Sequence, residues 1–205
     1  MKKNKISKNW KNKQKKDIFF RQSKIYGYRS RSAFKLIEIN KKFKIIKSNT
    51  DLLDLGSSPG GWSQVASKLI VSGKILSVDI KEMKKLEKVI FMKGSIDDSV
   101  FCKKIYNHFG KKIDVVISDM AANTTGNKNL DSFRTGQLCT NAMNFAKDIL
   151  KKDGIFLSKI FMGTSFLELQ KNAKKSFKKV VLYKPLASKK ESKELYIFCR
   201  GISVL

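Results

Sequence analysis

From Asp51 to Gly201 the sequence alternates short apolar runs of strand length with longer stretches of helical period. The runs are Asp51–Leu55, Lys74–Asp79, Val89–Met92, Ile113–Asp119, Ile155–Phe161, Lys178–Lys184 and Leu195–Gly201. Helical patterns cover Trp62–Val71, Asp97–Phe109, Ser132–Leu150 and Phe166–Ser176. Another, Ser30–Phe43, precedes the first strand and offers Phe34, Leu36 and Ile37 to a core. Strands that alternate with helices are joined by crossovers, so neighbours run parallel and both faces of the sheet are covered. Leu186–Lys193 is polar and turn-rich, which predicts an antiparallel hairpin at the end. The expected class is therefore α/β: a Rossmann-like, seven-stranded, mostly parallel sheet with an antiparallel terminal strand and helices on both faces.

The 205 residues suffice for one well-filled core, and no internal repeat or Pro/Gly-rich linker divides them. Lys and Arg number 44 against 17 Asp and Glu, a balance that favours a polyanionic partner through phosphate contacts. Abundant Lys, Asn and Ile with scarce Arg is also what a biased genome produces. Bias explains the placement less well, because residues 1–50 carry seventeen Lys and Arg against only Asp17 and Glu38. Residues 1–20 are read as a basic, flexible arm and residues 21–205 as the folded domain. No apolar run reaches the roughly 20 residues of a membrane span, and no apolar segment marks a secretory signal. Cys102, Cys139 and Cys199 are scattered and lack metal-ligand spacing. They read as reduced thiols, and the chain as cytoplasmic. His108 has no partner in the pattern, which argues against a zinc site or a His-based nucleophile.

In open α/β sheets ligands bind at the carboxyl ends of the strands. The first such end reads Asp54-Leu55-Gly56-Ser57-Ser58-Pro59-Gly60-Gly61-Trp62. Glycines there let backbone approach a ligand closely. A dinucleotide fingerprint would need glycine where Ser58 stands, so a nicotinamide dehydrogenase is disfavoured. Asp79 ends the second strand, where a carboxylate can accept both hydroxyls of a ribose. Asp54 precedes the loop, placed to order its amides or to approach the charged end of a cofactor. Asp119 ends the fourth strand. Lys159 interrupts the apolar fifth, where a lysine either snorkels outward or points into a site.

Five motifs in order then match one family. They are Arg29-Ser30-Arg31-Ser32-Ala33-Phe34-Lys35-Leu36, Asp54 through Gln64, Ser118-Asp119-Met120-Ala121, Lys159, and Ser192-Lys193-Glu194-Leu195-Tyr196. The chain resembles the FtsJ/RrmJ family of ribose 2′-O-methyltransferases, in its bacterial large-subunit ribosomal RNA branch, over about residues 20–201. The resemblance implies S-adenosylmethionine as cofactor, a uridine of 23S rRNA in the large subunit or its precursor as substrate, and no obligate protein partner. It implies the catalytic set Lys35, Asp119, Lys159 and Glu194, with cofactor contacts at Gly60, Trp62, Asp79 and Asp119. A further family aspartate, thought to face the adenine, falls at Ser95, which offers no carboxylate; Asp97 or a backbone group is expected to stand in. Ser57 and Ser58 replace two alanines of the family pattern, and Ala122 replaces a proline.

In that chemistry a sulfonium makes the methyl electrophilic, and the ribose hydroxyl must lose its proton to attack. A neutral lysine amine can take the proton, so Lys159 is the expected base. Asp119 and Glu194 are expected to orient the lysines and the hydroxyl. The 2′-hydroxyl itself distinguishes RNA from DNA. RNA contacts are expected from the arm and from Lys24–Arg31. The rival readings are a 2′-O-methyltransferase of tRNA or of an mRNA cap, and a non-catalytic RNA-binding assembly factor that kept the fold. Intact catalytic positions oppose the last.

Overall fold

The computed structural model describes residues 17–203 apart from 123, 124 and 164. Its strands are β1 (Leu52–Leu55), β2 (Ile75–Asp79), β3 (Val89–Lys93), β4 (Ile113–Ser118), β5 (Leu150–Phe161), β6 (Phe177–Tyr183) and β7 (Glu194–Ile202). Its helices are α1 (Ile18–Ile25), α2 (Ser32–Phe43), α3 (Gly61–Leu69), α4 (Ser99–Phe109), α5 (Lys128–Ile149) and α6 (Phe166–Ser176). The strands form one sheet in the order β3-β2-β1-β4-β5-β7-β6. β1 to β5 are parallel, and β7 runs antiparallel between β5 and β6. The expected hairpin is therefore present, with its second strand inserted next to β5. Among the described residues no helix is long and apolar enough to cross a membrane.

Side chains alternate between the two faces of a strand, and the two halves of the core follow that alternation. Leu53, Leu55, Val116, Phe156, Ile160, Ile197 and Cys199 lie under α4, α5 and α6. Leu52, Ile75, Val115, Ile117, Ile155, Leu157, Tyr196 and Phe198 lie under α2 and α3. The same count puts Asp54, Asp79, Asp119, Lys159 and Glu194 on the α2/α3 face. The sheet thus has one largely apolar face, broken by the buried Ser118 and Ser158, and one face that turns charged at the carboxyl ends of its parallel strands.

Three local readings need correction. Ile37 is exposed, and Ala33, Lys35, Leu36 and Ile39 form the buried stripe of α2. The helix spacing puts 33, 36 and 39–40 on one side, and Ile37 falls off it. α1 was not anticipated. It starts at Ile18, inside the stretch read as the arm, because the Asp17 side chain caps it by accepting from Phe20 N at 3.1 Å. Its Phe19 then packs on Phe34. β5 begins at Leu150 instead of Ile155, with a register irregularity against β4 between Ile113 and Val115. That charged start, Lys151-Lys152-Asp153, is exposed and carries no apolar strand signal. Residues 1–16 of the expected arm lie outside the described residues.

Candidate active site

The Asp54–Trp62 string is the turn from β1 into α3, and two of its glycines have structural causes. Gly56 has φ +74°, and a Cβ there would come within 3.0 Å of the Met120 backbone. Gly60 has φ +109°, with the Arg29 guanidinium where a Cβ would go. Arg29 reaches across to Pro59 O at 3.3 Å and to Lys84 O and Lys85 O at 2.7 Å each. The close approach that requires these glycines is thus to the protein's own Met120 and Arg29. Arg29 ties the turn to the segment after β2.

Beside the turn lies a cavity of about 510 Å³ at the carboxyl ends of the parallel strands. Its wall combines apolar groups, among them Leu55, Val78, Ile80, Ile96 and Leu138, with Asp79, Asp97 and Asp119. Three carboxylates against Lys81 and Arg134 make this an acidic recess in a strongly basic protein. Asp79 is held from behind: Ser58 N donates to Oδ2 at 2.9 Å and Lys81 N to Oδ1 at 2.8 Å. A carboxylate has about four acceptor positions, so both oxygens keep capacity for ligand hydroxyls. Ser95 and Asp97 stand together on the wall. Ser95 Oγ donates to Asp97 Oδ2 at 3.2 Å, and Asn141 Nδ2 donates to Oδ1 at 2.8 Å. Gly60 and Trp62 do not line this cavity. Trp62 is buried behind the turn, its Nε1 donating to Ser32 O at 2.8 Å and its ring beside Tyr196.

Next to the cavity, the four expected catalytic residues come together as two couples. Lys159 Nζ lies 2.7 Å from Asp119 O and 2.9 Å from Asp119 Oδ1. Lys35 Nζ, from α2, lies 2.7 and 2.8 Å from the two oxygens of Glu194. Tyr196 joins the couples. Its hydroxyl donates to Asp119 Oδ1 at 2.8 Å, and Lys35 Nζ sits 5.7 Å from its ring centroid. Lys35, Lys159 and Glu194 are each no more than 9% exposed. Buried charges persist only when paired and hydrogen-bonded, and this grouping meets that condition.

The electrostatics divide the carboxylates. Burial alone would raise the Asp119 pKa, but the charges of Lys159 and Lys35 and the hydrogen bonds from Lys159 and Tyr196 hold it below the usual range. Burial, with the nearby Asp119 and Glu194 charges, pushes the Tyr196 hydroxyl well above its ordinary value, so it remains a donor. Asp54, wholly buried, accepts from Ser63 Oγ at 2.7 Å through Oδ2. Its Oδ1 has no partner among the described residues. Burial raises its pKa to about 7 against the Ser63 hydrogen bond, helped by the charges of Asp119 and Asp79. Asp54 is not among the residues lining the cavity.

With this geometry in view, the comparisons are specific. The FtsJ-like methyltransferase pattern matches residues 28–202. The chain belongs to the FtsJ-like methyltransferase family. A relative from Pelagibacter ubique, "Ribosomal RNA large subunit methyltransferase E", is 54% identical over 98% of each chain. A crystal structure described as a ribosomal RNA methyltransferase of Plasmodium falciparum is 30% identical, with a TM-score of 0.76 over 85% of this chain and 98% of that one. A Streptococcus mutans methyltransferase structure in complex with SAH is 14% identical, with a TM-score of 0.53 over 80% and 96%, and speaks for the fold. The FtsJ-like membership agrees with the motif order read from the sequence.

Sequence reasoning gave no role to Arg134, Leu138 or Asn141 of α5, which reach the cavity or its aspartate from the far side of the chain. Their only sequence signal is a spacing of three and four residues. Glu38 and Ser188 were also missed, because a lone glutamate on a helix and a serine in a turn carry no chemistry until the fold juxtaposes them.

Proposed function

We propose that this methyltransferase moves the methyl group of S-adenosylmethionine onto the 2′-hydroxyl of a uridine ribose in large-subunit (23S) ribosomal RNA, in the cytoplasm. The observation that carries the reading is Lys159 held against Asp119 at the rim of the acidic recess. When bound, S-adenosylmethionine supplies a methyl group already activated on a sulfonium.

The residues present fit that cofactor. A recess with three carboxylates suits a ligand that carries positive charge, and its apolar wall suits an adenosine. Asp79 would take the ribose hydroxyls. Ser95 with Asp97 would face the base, Asp97 supplying the carboxylate that Ser95 lacks. Asp119 would face the charged end, and Gly60 and Trp62 would shape the turn that closes the site.

The chemistry then follows from donor geometry. A neutral amine has two N–H donors and one lone pair. Lys159 rests as the ammonium paired with Asp119. After it has given up one proton, its two remaining N–H donors can stay on Asp119 O and Oδ1, and the lone pair accepts the ribose proton as the oxygen attacks. Asp119, ionised, then neutralises the new ammonium. Lys35 and Glu194 fix the ribose beside it, so that the oxygen lines up with the methyl group it attacks. RNA phosphates are met by basic residues around this rim and by the arm ahead of the α1 cap Asp17, the domain itself starting at that cap.

The test is transfer of labelled methyl from the cofactor to undermethylated large-subunit particles, followed by mapping of the modified ribose. Methylation of a base, or transfer to tRNA alone, would overturn the reading.

A further inference from the structure

Arg31, at the N-cap of α2, and Glu38 within it face the loop between β6 and β7, and Lys35 between them faces Glu194 at the start of β7. Positions four and three apart lie on one side of a helix. Glu38 Oε1 accepts from the Tyr183 hydroxyl at 2.5 Å and from Leu186 N at 2.8 Å, and Oε2 accepts from Ala187 N at 3.2 Å. Arg31 donates to Ala187 O from the other side. The hydrogen bond to Glu38 pushes the Tyr183 hydroxyl up to about 12, so this donor persists at working pH. The next residue, Ser188, is 6% exposed, and its hydroxyl donates to Glu194 Oε1 at 2.7 Å. Glu194 in turn holds Lys35, which returns the chain of contacts to α2.

We infer that Glu38 and Ser188 are positioning residues of the transfer site, fixing through the β6–β7 loop the Glu194 carboxylate and with it the Lys35 ammonium. The inference rests on the proposed ribose methylation. Its physical basis is that a carboxylate with one cationic partner can rotate about its own axis, and a second directional donor removes that freedom. Ser188 is that donor. The two amides and the tyrosine that Glu38 collects, with Arg31 on Ala187 O, fix the Leu186–Ser188 part of the loop against α2. A glutamine at 38 keeps one acceptor oxygen but sets an NH2 group against at least one of the donors, Ala187 N when its oxygen stays on Tyr183 and Leu186, so it weakens the strap with little change in volume.

The experiment uses the full chain with undermethylated large-subunit particles, in single turnover at saturating cofactor and RNA. Ser188→Ala and Glu38→Gln should each slow transfer on the order of 10-fold, the scale of a small misplacement at a reacting centre. Cofactor affinity by calorimetry should stay unchanged. The discriminating arm is a double-mutant cycle with Glu194→Gln: in that background Ser188→Ala should add little further loss. A wild-type rate in Ser188→Ala, or the same proportional loss with and without Glu194, overturns the inference. Glu38→Gln enters the same cycle and carries the test if the serine variant does not fold. Failure of the unaltered chain to methylate a ribose would instead overturn the proposed function.

Discussion

Lys159 and Tyr196 stand directly opposite each other across the antiparallel β5–β7 pair, and both donate to Asp119 Oδ1, at 2.9 and 2.8 Å. Opposed residues in an antiparallel pair point to the same face. The register therefore delivers both donors to one point, where β4 ends. Glu194, two residues before Tyr196, falls on the same face at the same end. A slip of one residue in the β5–β7 pairing would send these groups to opposite faces. The apolar positions under α2 and α3, Leu157 and Phe198 among them, specify the register that the chemistry needs.

Two of the carboxylates on this face, Asp119 and Asp54, should act on stability with opposite pH dependence. Asp119 has a folded pKa below 3.8, so the stability it contributes is present above the unfolded value and is lost as pH falls through the folded one. Asp54 has a folded pKa of about 7, so the folded state keeps a proton that the unfolded state releases. Its contribution then declines as pH rises from about 4 to 7, by roughly 4 kcal/mol at most. Urea melts of Asp54→Asn against the unaltered chain should show the variant gaining ground across that window and no further above it. A constant difference from pH 4 to 8 would contradict the buried, protonated Asp54.

Asp97 should matter more to cofactor binding than Ser95. Of the two, only Asp97 carries charge, and Asn141 holds it in place. Asp97→Ala should weaken S-adenosylmethionine on the order of 10-fold, as expected for a hydrogen bond to a charged group. Ser95→Ala should cost a few-fold at most. Calorimetry that finds the larger loss at Ser95 would assign the base contact to the serine.

Much of this was legible in the sequence, and the remainder has identifiable causes. The strand–helix alternation gave the sheet because buried parallel strands need continuous apolar runs, as in Val115-Val116-Ile117. Lys159 was visible because a lysine inside such a run is costly. Lys35, by contrast, sits in an ordinary amphipathic helix beside exposed lysines, and only the family motif singled it out. α1 was hidden by its lysine-rich surroundings; its cap, Asp17, also pairs with Arg31, a contact between residues fourteen apart. Tyr196 read as one more aromatic strand residue until the β5–β7 register set it against Lys159.

The Asp17 contact sets where the basic arm can be cut. A deletion of residues 1–16 removes eight lysines and leaves the α1 cap and the Arg31 pair intact. RNA association should weaken, and the slope of log affinity against log salt should become shallower by about 0.7–0.9 for each phosphate that is no longer neutralised. Cofactor affinity should be unchanged. An unaltered salt slope would mean that these lysines make no phosphate contacts and reflect composition.

Lys159→Ala should abolish methyl transfer while leaving the fold and cofactor binding largely intact. Lys159 is 7% exposed and directs both its hydrogen bonds to Asp119, so it does not snorkel to solvent as a structural lysine would. Alanine cannot accept a proton, and the loss should reach at least the roughly 10²–10⁴-fold that general base catalysis contributes. Lys159→Arg should do little better, because a guanidinium does not deprotonate at working pH. Tyr196 still donates to Asp119 in the alanine variant, which limits the damage to the site's architecture. Single-turnover transfer at saturating cofactor is the measurement, with the thermal midpoint and calorimetric affinity as controls. A near-normal rate in the alanine variant would remove Lys159 from the mechanism, and the proton would have to leave through another group or directly to water.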